Sequence, residues 1–189
     1  MIVLVTGGAR SGKSAFAERY AALHGREGVY VATSEALDEE MARRIALHRA
    51  QRERSGFAWR TVEEPLDLAG TLLRLREKPV VLVDCLTLWL SNHLLREEGQ
   101  ADAEARIEER MQTLAEALGG MKGCVILVTN EVGDGVVPAY PLGRVYRDLA
   151  GVLNRQIAAV SDEVFLVTAG IPVELKRLAF AWPGAGASP

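Results

Sequence analysis

Cysteine is scarce in this sequence: Cys85 and Cys124 are the only two in 189 residues. Each lies in or beside an apolar run, and neither belongs to a CxxC or Cys/His cluster. That excludes a disulfide framework and gives no support for structural zinc. Both read as small buried hydrophobes in a reducing compartment. An excess of basic charge is also lacking. The formal net charge of -3 argues against bulk binding of nucleic acid or of an anionic membrane, and leaves room only for a local basic patch. No apolar run approaches the ~20 residues that a membrane helix needs. No basic stretch precedes the first apolar run, Met1 to Val5, as a secretory leader would require. The expectation is a cytoplasmic protein without membrane insertion and without a nucleic-acid partner. Internal repeats, low-complexity blocks and linkers are missing too. One domain is therefore expected over 1–182, followed by a small, turn-forming flexible tail over 183–189.

What is present is an alternation of short β-branched runs with longer amphipathic stretches. Strands are expected at Ile2–Val5, Val29–Thr33, Trp59–Val62, Val80–Asp84, Val125–Thr129 and Val164–Thr168. Helices are expected at about 13–24, 37–54, 66–77, 86–97, 102–118 and 142–160. The runs Val80-Val81-Leu82-Val83 and Val125-Ile126-Leu127-Val128 are apolar throughout, as in parallel strands covered on both faces. The fold class is α/β, a mainly parallel sheet with flanking helices and right-handed crossovers. Gly25 is expected to close the first helix and Gly119-Gly120 the fifth.

The strongest chemical signal is Gly7-Gly8-Ala9-Arg10-Ser11-Gly12-Lys13-Ser14. It fits GxxxxGK[ST] and lies between an apolar strand and a helix, the context a P-loop requires. Glycines let the backbone wrap a phosphate and turn its N–H groups inward, and the helix N-terminus adds partial positive charge. Lys13 is then placed to reach the β- and γ-phosphates, and Ser14 to hold Mg²⁺. Asp84 ends an apolar strand, as a Walker-B aspartate holding Mg²⁺ does. The competing reading makes it a cap of the helix that follows. Asn130 and Glu131 end the next apolar strand, where polar groups face the ligand crevice of an open α/β sheet. A turn-forming role competes there.

The segment 37–54 carries a further signal. At 100° per residue, Leu37, Met41, Ile45 and His48 share an arc of roughly 80°. Arg44 and Arg52, one turn before and after His48, border or share it. An inward histidine between two inward arginines calls for an anion, because buried positive charge is costly unpaired. A nucleotide triphosphate supplies one. A core-edge histidine on a solvated, arginine-rich helix is the alternative. His24 and His93 have no comparable setting.

These blocks together closely resemble the bifunctional adenosylcobinamide kinase / adenosylcobinamide-phosphate guanylyltransferase family of cobalamin biosynthesis. The resemblance rests on Leu4 to Ser14, Tyr30-Val31-Ala32-Thr33-Ser34, Met41-Ala42-Arg43-Arg44-Ile45 with His48, and Trp59 to Glu63. It continues through Leu127 to Gly133 with Val137-Pro138, and Arg147 to Gly151 with Asn154. It implies a P-loop fold and two reactions. In the first, the aminopropanol hydroxyl of adenosylcobinamide is phosphorylated with ATP or GTP. In the second, GMP passes from GTP to that phosphate through a covalent histidine, giving adenosylcobinamide-GDP. His48 matches that histidine. Some relatives carry two adjacent histidines where this chain has Leu47-His48. The family's guanine-nucleotide contacts fall on the P-loop, on Ala32, Thr33 and Ser34, on Arg49, Ala50, Gln51 and Arg52, and on Glu63 and Asp84. A homo-oligomer, a trimer, is also implied. Three other readings stay open from sequence alone. One is a P-loop kinase of another small alcohol. The second is a GTP-binding regulatory protein, although no NKxD-type motif is present. The third is an RNA-binding protein using the arginines of 43–60, which the inward phase of Arg44 and Arg52 disfavours.

Overall fold

A computed structural model describes residues 1–35, 39, 43, 46, 49, 50, 52 and 56–181. The expected tail at 183–189 lies outside the described residues, as do His48, Arg44 and Gln51. Seven strands form one sheet: β1 (Ile2–Thr6), β2 (Glu27–Ala32), β3 (Ala58–Glu63), β4 (Val80–Asp84), β5 (Cys124–Val128), β6 (Glu163–Thr168) and β7 (Ile171–Glu174). Their spatial order is β3-β2-β4-β5-β1-β6-β7. All pairs are parallel except β6–β7. Five helices are described in full: α1 (Lys13–Ala21), α2 (Leu68–Arg74), α3 (Leu86–Arg96), α4 (Ala103–Gly119) and α5 (Pro141–Val160). Residues 39, 43, 46, 49, 50 and 52 are helical as well.

Strand alternation divides the core into two layers. Val3, Val5, Tyr30, Leu82, Ile126 and Val128 face the side where α1 packs with Ala17, Ala21 and Phe16. Leu4, Val31, Val83, Val125 and Leu127 face the other side, against Leu72, Trp89, Leu90, Leu114 and Leu153 of α2 to α5. Burying one such leucine contributes about 1.5–3 kcal/mol. Covering on both faces is what makes these strands apolar without interruption, so the expected architecture is the observed one.

The register fixes where a site can form. Val128 is level with Val5 on one side and with Asp84 on the other. Ala32 is level with both Asp84 and Glu63. One row across the carboxyl edge therefore carries Glu63, Ala32, Asp84, Val128 and Val5, just below the loop that follows β1.

Element ends depart from the expectations in specific ways. The first helix stops at Ala21 with Ala22 as its cap, so Gly25 does not close it; Gly119 and Gly120 do end α4. The helix expected at 66–77 covers only Leu68–Arg74, because Asp67 accepts from the Gly70 amide and so sets its start. Thr33 and Thr129 lie beyond their strands. β7 was not expected. Its turn uses Ala169 and Gly170, both at positive φ, and its antiparallel pairing places Pro172 on an edge strand.

Candidate active site

The loop after β1 is held from two sides. The Glu131 amide donates to the Gly7 carbonyl at 3.1 Å, and the Gly170 amide donates to the Ser11 carbonyl at 2.8 Å. Glycine is required at two points of it. A Cβ on Gly7, at φ +154°, would lie 2.3 Å from the Val167 carbonyl oxygen. One on Gly12, at φ +95°, would meet the Gly170 Cα at 3.2 Å. Gly12 caps α1, whose first residue is Lys13. Lys13 is only 8% exposed, and its Nζ donates to the Gly8 carbonyl at 3.0 Å. The Ser11 hydroxyl is buried without a hydrogen-bond partner. Glycine backbone, a helix N-terminus, a lysine and an unanswered hydroxyl make this loop fit a phosphate group.

Asp84 does not cap α3. The cap position belongs to Cys85, and no side-chain cap bond is made. Instead Asp84 Oδ2 accepts from the Tyr30 hydroxyl at 2.8 Å. The Arg52 guanidinium lies 3.6 Å from the centre of the Tyr30 ring and is 5% exposed, so the inward phase expected for Arg52 is observed. Glu18, a half-buried residue of α1, belongs to the same cluster. Burial raises its pKa from 4.5 to about 6, with Arg52 opposing the rise and Asp84 adding to it. Arg49 and Glu63, both assigned to nucleotide contact, form an exposed ion pair at 3.3 Å. Ser14 and Ala50 are half-buried, and Ala32 and Ser34 lie half-buried at the end of β2. Hard oxygen donors on Asp84 and Ser14 fit Mg²⁺, which takes few protein ligands and completes its shell with phosphate and water.

Thr33, expected among the nucleotide contacts, lies just beyond the end of β2. It is fully buried, and its hydroxyl both donates to the Cys85 carbonyl at 2.7 Å and accepts from the Cys85 amide at 2.8 Å. Its own amide donates to the Asp84 carbonyl, and its carbonyl accepts from Asn92 at 2.8 Å. The Thr33 hydroxyl and amide thus tie the end of β2 to the end of β4, and its carbonyl ties it to α3. Asn130 and Glu131 also have internal partners: the Asn130 amide donates to the Thr87 hydroxyl at 3.0 Å, and Glu131 accepts from the Gly133 amide. The two thiols are free and buried. Burial raises Cys85 to about 11, so it stays protonated and is no nucleophile. His93 is buried beside the Leu66 carbonyl, and burial lowers its pKa.

A family model described as cobinamide kinase / cobinamide phosphate guanyltransferase matches residues 3–175. The chain belongs to that family. The bifunctional adenosylcobalamin biosynthesis protein CobP of Pseudomonas aeruginosa is 49% identical over 174 residues, 92% of this chain and 96% of that protein. The protein CobU of Escherichia coli, named in the same way, is 43% identical over 187 residues, 93% of this chain and all of that one. Among solved structures, a type III secretion ATPase superposes with a TM-score of 0.54 at 12% identity, covering 88% of this chain and 51% of that one. That likeness concerns the fold alone.

For this cobinamide kinase / guanylyltransferase family member, sequence reasoning missed Tyr30 and Glu18 as parts of the site. Tyr30 sits inside an apolar strand and reads as core; its partner is Asp84, 54 positions away. Glu18 lies one turn beyond Ser14, a spacing that places both on one face of α1 and was the available signal.

Proposed function

We propose that the chain phosphorylates the aminopropanol hydroxyl of adenosylcobinamide with ATP or GTP, then transfers GMP from GTP to the new phosphate by way of His48. The observation that carries this reading is the row of Asp84, Val128 and Val5, which sets the Asp84 carboxylate level with the start of the phosphate loop, with Arg52 beside it on Tyr30.

In the kinase step, the loop amides and Lys13 bind the β- and γ-phosphates, and the acceptor oxygen attacks the γ-phosphorus as the bond to the β-phosphate oxygen breaks. Ser14 and Asp84 would hold Mg²⁺, which would neutralise charge on the phosphates. In the guanylyl step, a neutral His48 ring nitrogen attacks the α-phosphorus of GTP. A P–N bond forms, the bond to the pyrophosphate oxygen breaks, and pyrophosphate leaves. A phosphate oxygen of adenosylcobinamide phosphate then displaces the imidazole and regenerates it. Arg49 and Arg52 offset charge on the nucleotide phosphates. Ala32, Ser34, Ala50, Gln51 and Glu63 line the guanine nucleotide, and Thr33, between Ala32 and Ser34, holds the end of β2.

Among the described residues no helix is long and apolar enough to cross a membrane. The working form of the enzyme is a cytoplasmic homo-oligomer, a trimer as the family resemblance implies, with no nucleic-acid partner. Chromatographic product analysis with adenosylcobinamide, ATP and GTP tests the assignment. Adenosylcobinamide phosphate should accumulate with ATP alone, and adenosylcobinamide-GDP should appear when GTP is added. Failure to consume adenosylcobinamide under both conditions would remove it.

A further inference from the structure

Tyr30 has two chemically separate faces, and each meets a charged residue of the site. The side chain projects from β2 on the α1 side of the sheet and is 4% exposed. Its hydroxyl donates to Asp84 Oδ2 at 2.8 Å. Its ring carries the Arg52 guanidinium at 3.6 Å. Trp59 packs edge-on against the same ring, with centroids 5.9 Å apart and planes at 80°. A hydrogen bond to one carboxylate oxygen fixes the carboxylate and leaves the other oxygen for a cation. A ring face steadies a planar cation without neutralising it, so the guanidinium keeps its charge for an incoming anion. Neither function requires the other, because one uses the oxygen and the other the π-system.

We propose that Tyr30 is a positioning residue for both reactions, its hydroxyl holding the Asp84 carboxylate in the row of the phosphate loop and its ring holding the Arg52 guanidinium for the phosphates of GTP. Burial, and then the nearby Asp84 carboxylate, push the phenol's ionisation far above its usual range, so the hydroxyl is a donor at every pH the enzyme works in. The inference rests on the proposed use of GTP and Mg²⁺ and adds to it the residue that couples the two charged groups. It also accounts for a polar aromatic residue inside a strand whose neighbours, Val29 and Val31, are apolar and buried. A phenylalanine would fill the same core position.

Two substitutions separate the halves. Tyr30→Phe keeps the ring and deletes the hydroxyl; Tyr30→Leu deletes both. The first measurement is Mn²⁺ binding, followed by electron paramagnetic resonance, to protein saturated with an α,β-methylene GTP analogue that cannot release GMP. The second is the rate and GTP dependence of covalent labelling from α-labelled GTP at saturating metal. Tyr30→Phe should raise the half-saturating Mn²⁺ concentration about three- to tenfold, and should label within about twofold of wild type because the stacked ring remains. Tyr30→Leu should show the same metal shift and label at least about tenfold more slowly, with a raised KM for GTP. Arg52→Lys keeps the charge and the ring but loses the flat stacking. It should reproduce the labelling loss without the metal shift, and it decides the matter should Tyr30→Leu fail to fold. Unchanged Mn²⁺ binding in Tyr30→Phe would overturn the role of the hydroxyl. Wild-type labelling in Arg52→Lys, or equal labelling in the two Tyr30 variants, would overturn the role of the ring. Absence of label on the wild type would instead refute the covalent step itself, with the Mn²⁺ titration still deciding on the hydroxyl.

Discussion

Glu18 gives the stability of this protein a pH dependence of predictable sign. Its carboxyl is half-buried on α1, and burial raises its pKa from 4.5 to about 6 despite the opposing charge of Arg52; the Asp84 carboxylate adds to the rise. Between these two values the folded protein holds a proton that the unfolded chain has released. Stability must therefore fall as pH rises through that window, and the cost persists above it. At about 1.4 kcal/mol per pH unit, the rise is worth about 2 kcal/mol, and solvent reaching the half-buried group brings this to about 1–2 kcal/mol. Glu18→Gln removes the titration and keeps the shape. Urea unfolding of both proteins at pH 4.5, 5.5, 6.5 and 7.5, without nucleotide, isolates this group, because other titrations cancel in the difference. The variant should match wild type at pH 4.5 and exceed it by about 1–2 kcal/mol at pH 7.5. A difference that is constant with pH, or a variant less stable at pH 7.5, would show that the Glu18 carboxyl is not raised in the folded protein.

Three further substitutions test the frame of the site. Gly7→Ala sets a Cβ 2.3 Å from the Val167 carbonyl oxygen; it should cost about 2–4 kcal/mol in a denaturant titration and abolish calorimetric ATP binding. Asn92→Ala leaves the Thr33 and Pro65 carbonyls without their amide donor, which should cost about 2–3 kcal/mol and weaken GTP binding by loosening the end of β2 from α3. Lys13→Ala removes the amine that donates to the Gly8 carbonyl, and its rate of adenosylcobinamide phosphorylation should fall at least about a hundredfold, because the charge that meets the γ-phosphate is gone.

The phosphate loop, Asp84 and the parallel sheet were legible in the sequence because each is encoded locally. A glycine pattern between strand and helix, or an acid at the end of an apolar run, needs no knowledge of distant residues. The inward phase of Arg52 was legible from helical periodicity in the same way. Tyr30 and Glu18 were not, because their meaning comes from partners on other elements. A tyrosine between two valines reads as core until Asp84 is set against its hydroxyl by β2–β4 pairing and Arg52 against its ring. Thr33 has a bracing part that its motif does not announce: its hydroxyl joins the ends of β2 and β4, and its carbonyl accepts from Asn92 of α3. β7 escaped because Pro172 and its exposed neighbours leave an edge strand without apolar alternation.

Guanylyl transfer by way of His48 is decided by following the α-phosphate. Wild-type protein is incubated with GTP labelled at the α-phosphate, then denatured and digested. Label should be retained on the peptide containing His48, should be lost in acid and survive alkali as a histidine phosphoramidate does, and γ-label should not be retained. His48→Ala should hold no α-label yet still phosphorylate adenosylcobinamide with ATP. Stable α-label on the His48→Ala protein, or adenosylcobinamide-GDP formed by a wild type that never carries label, would contradict transfer by way of His48.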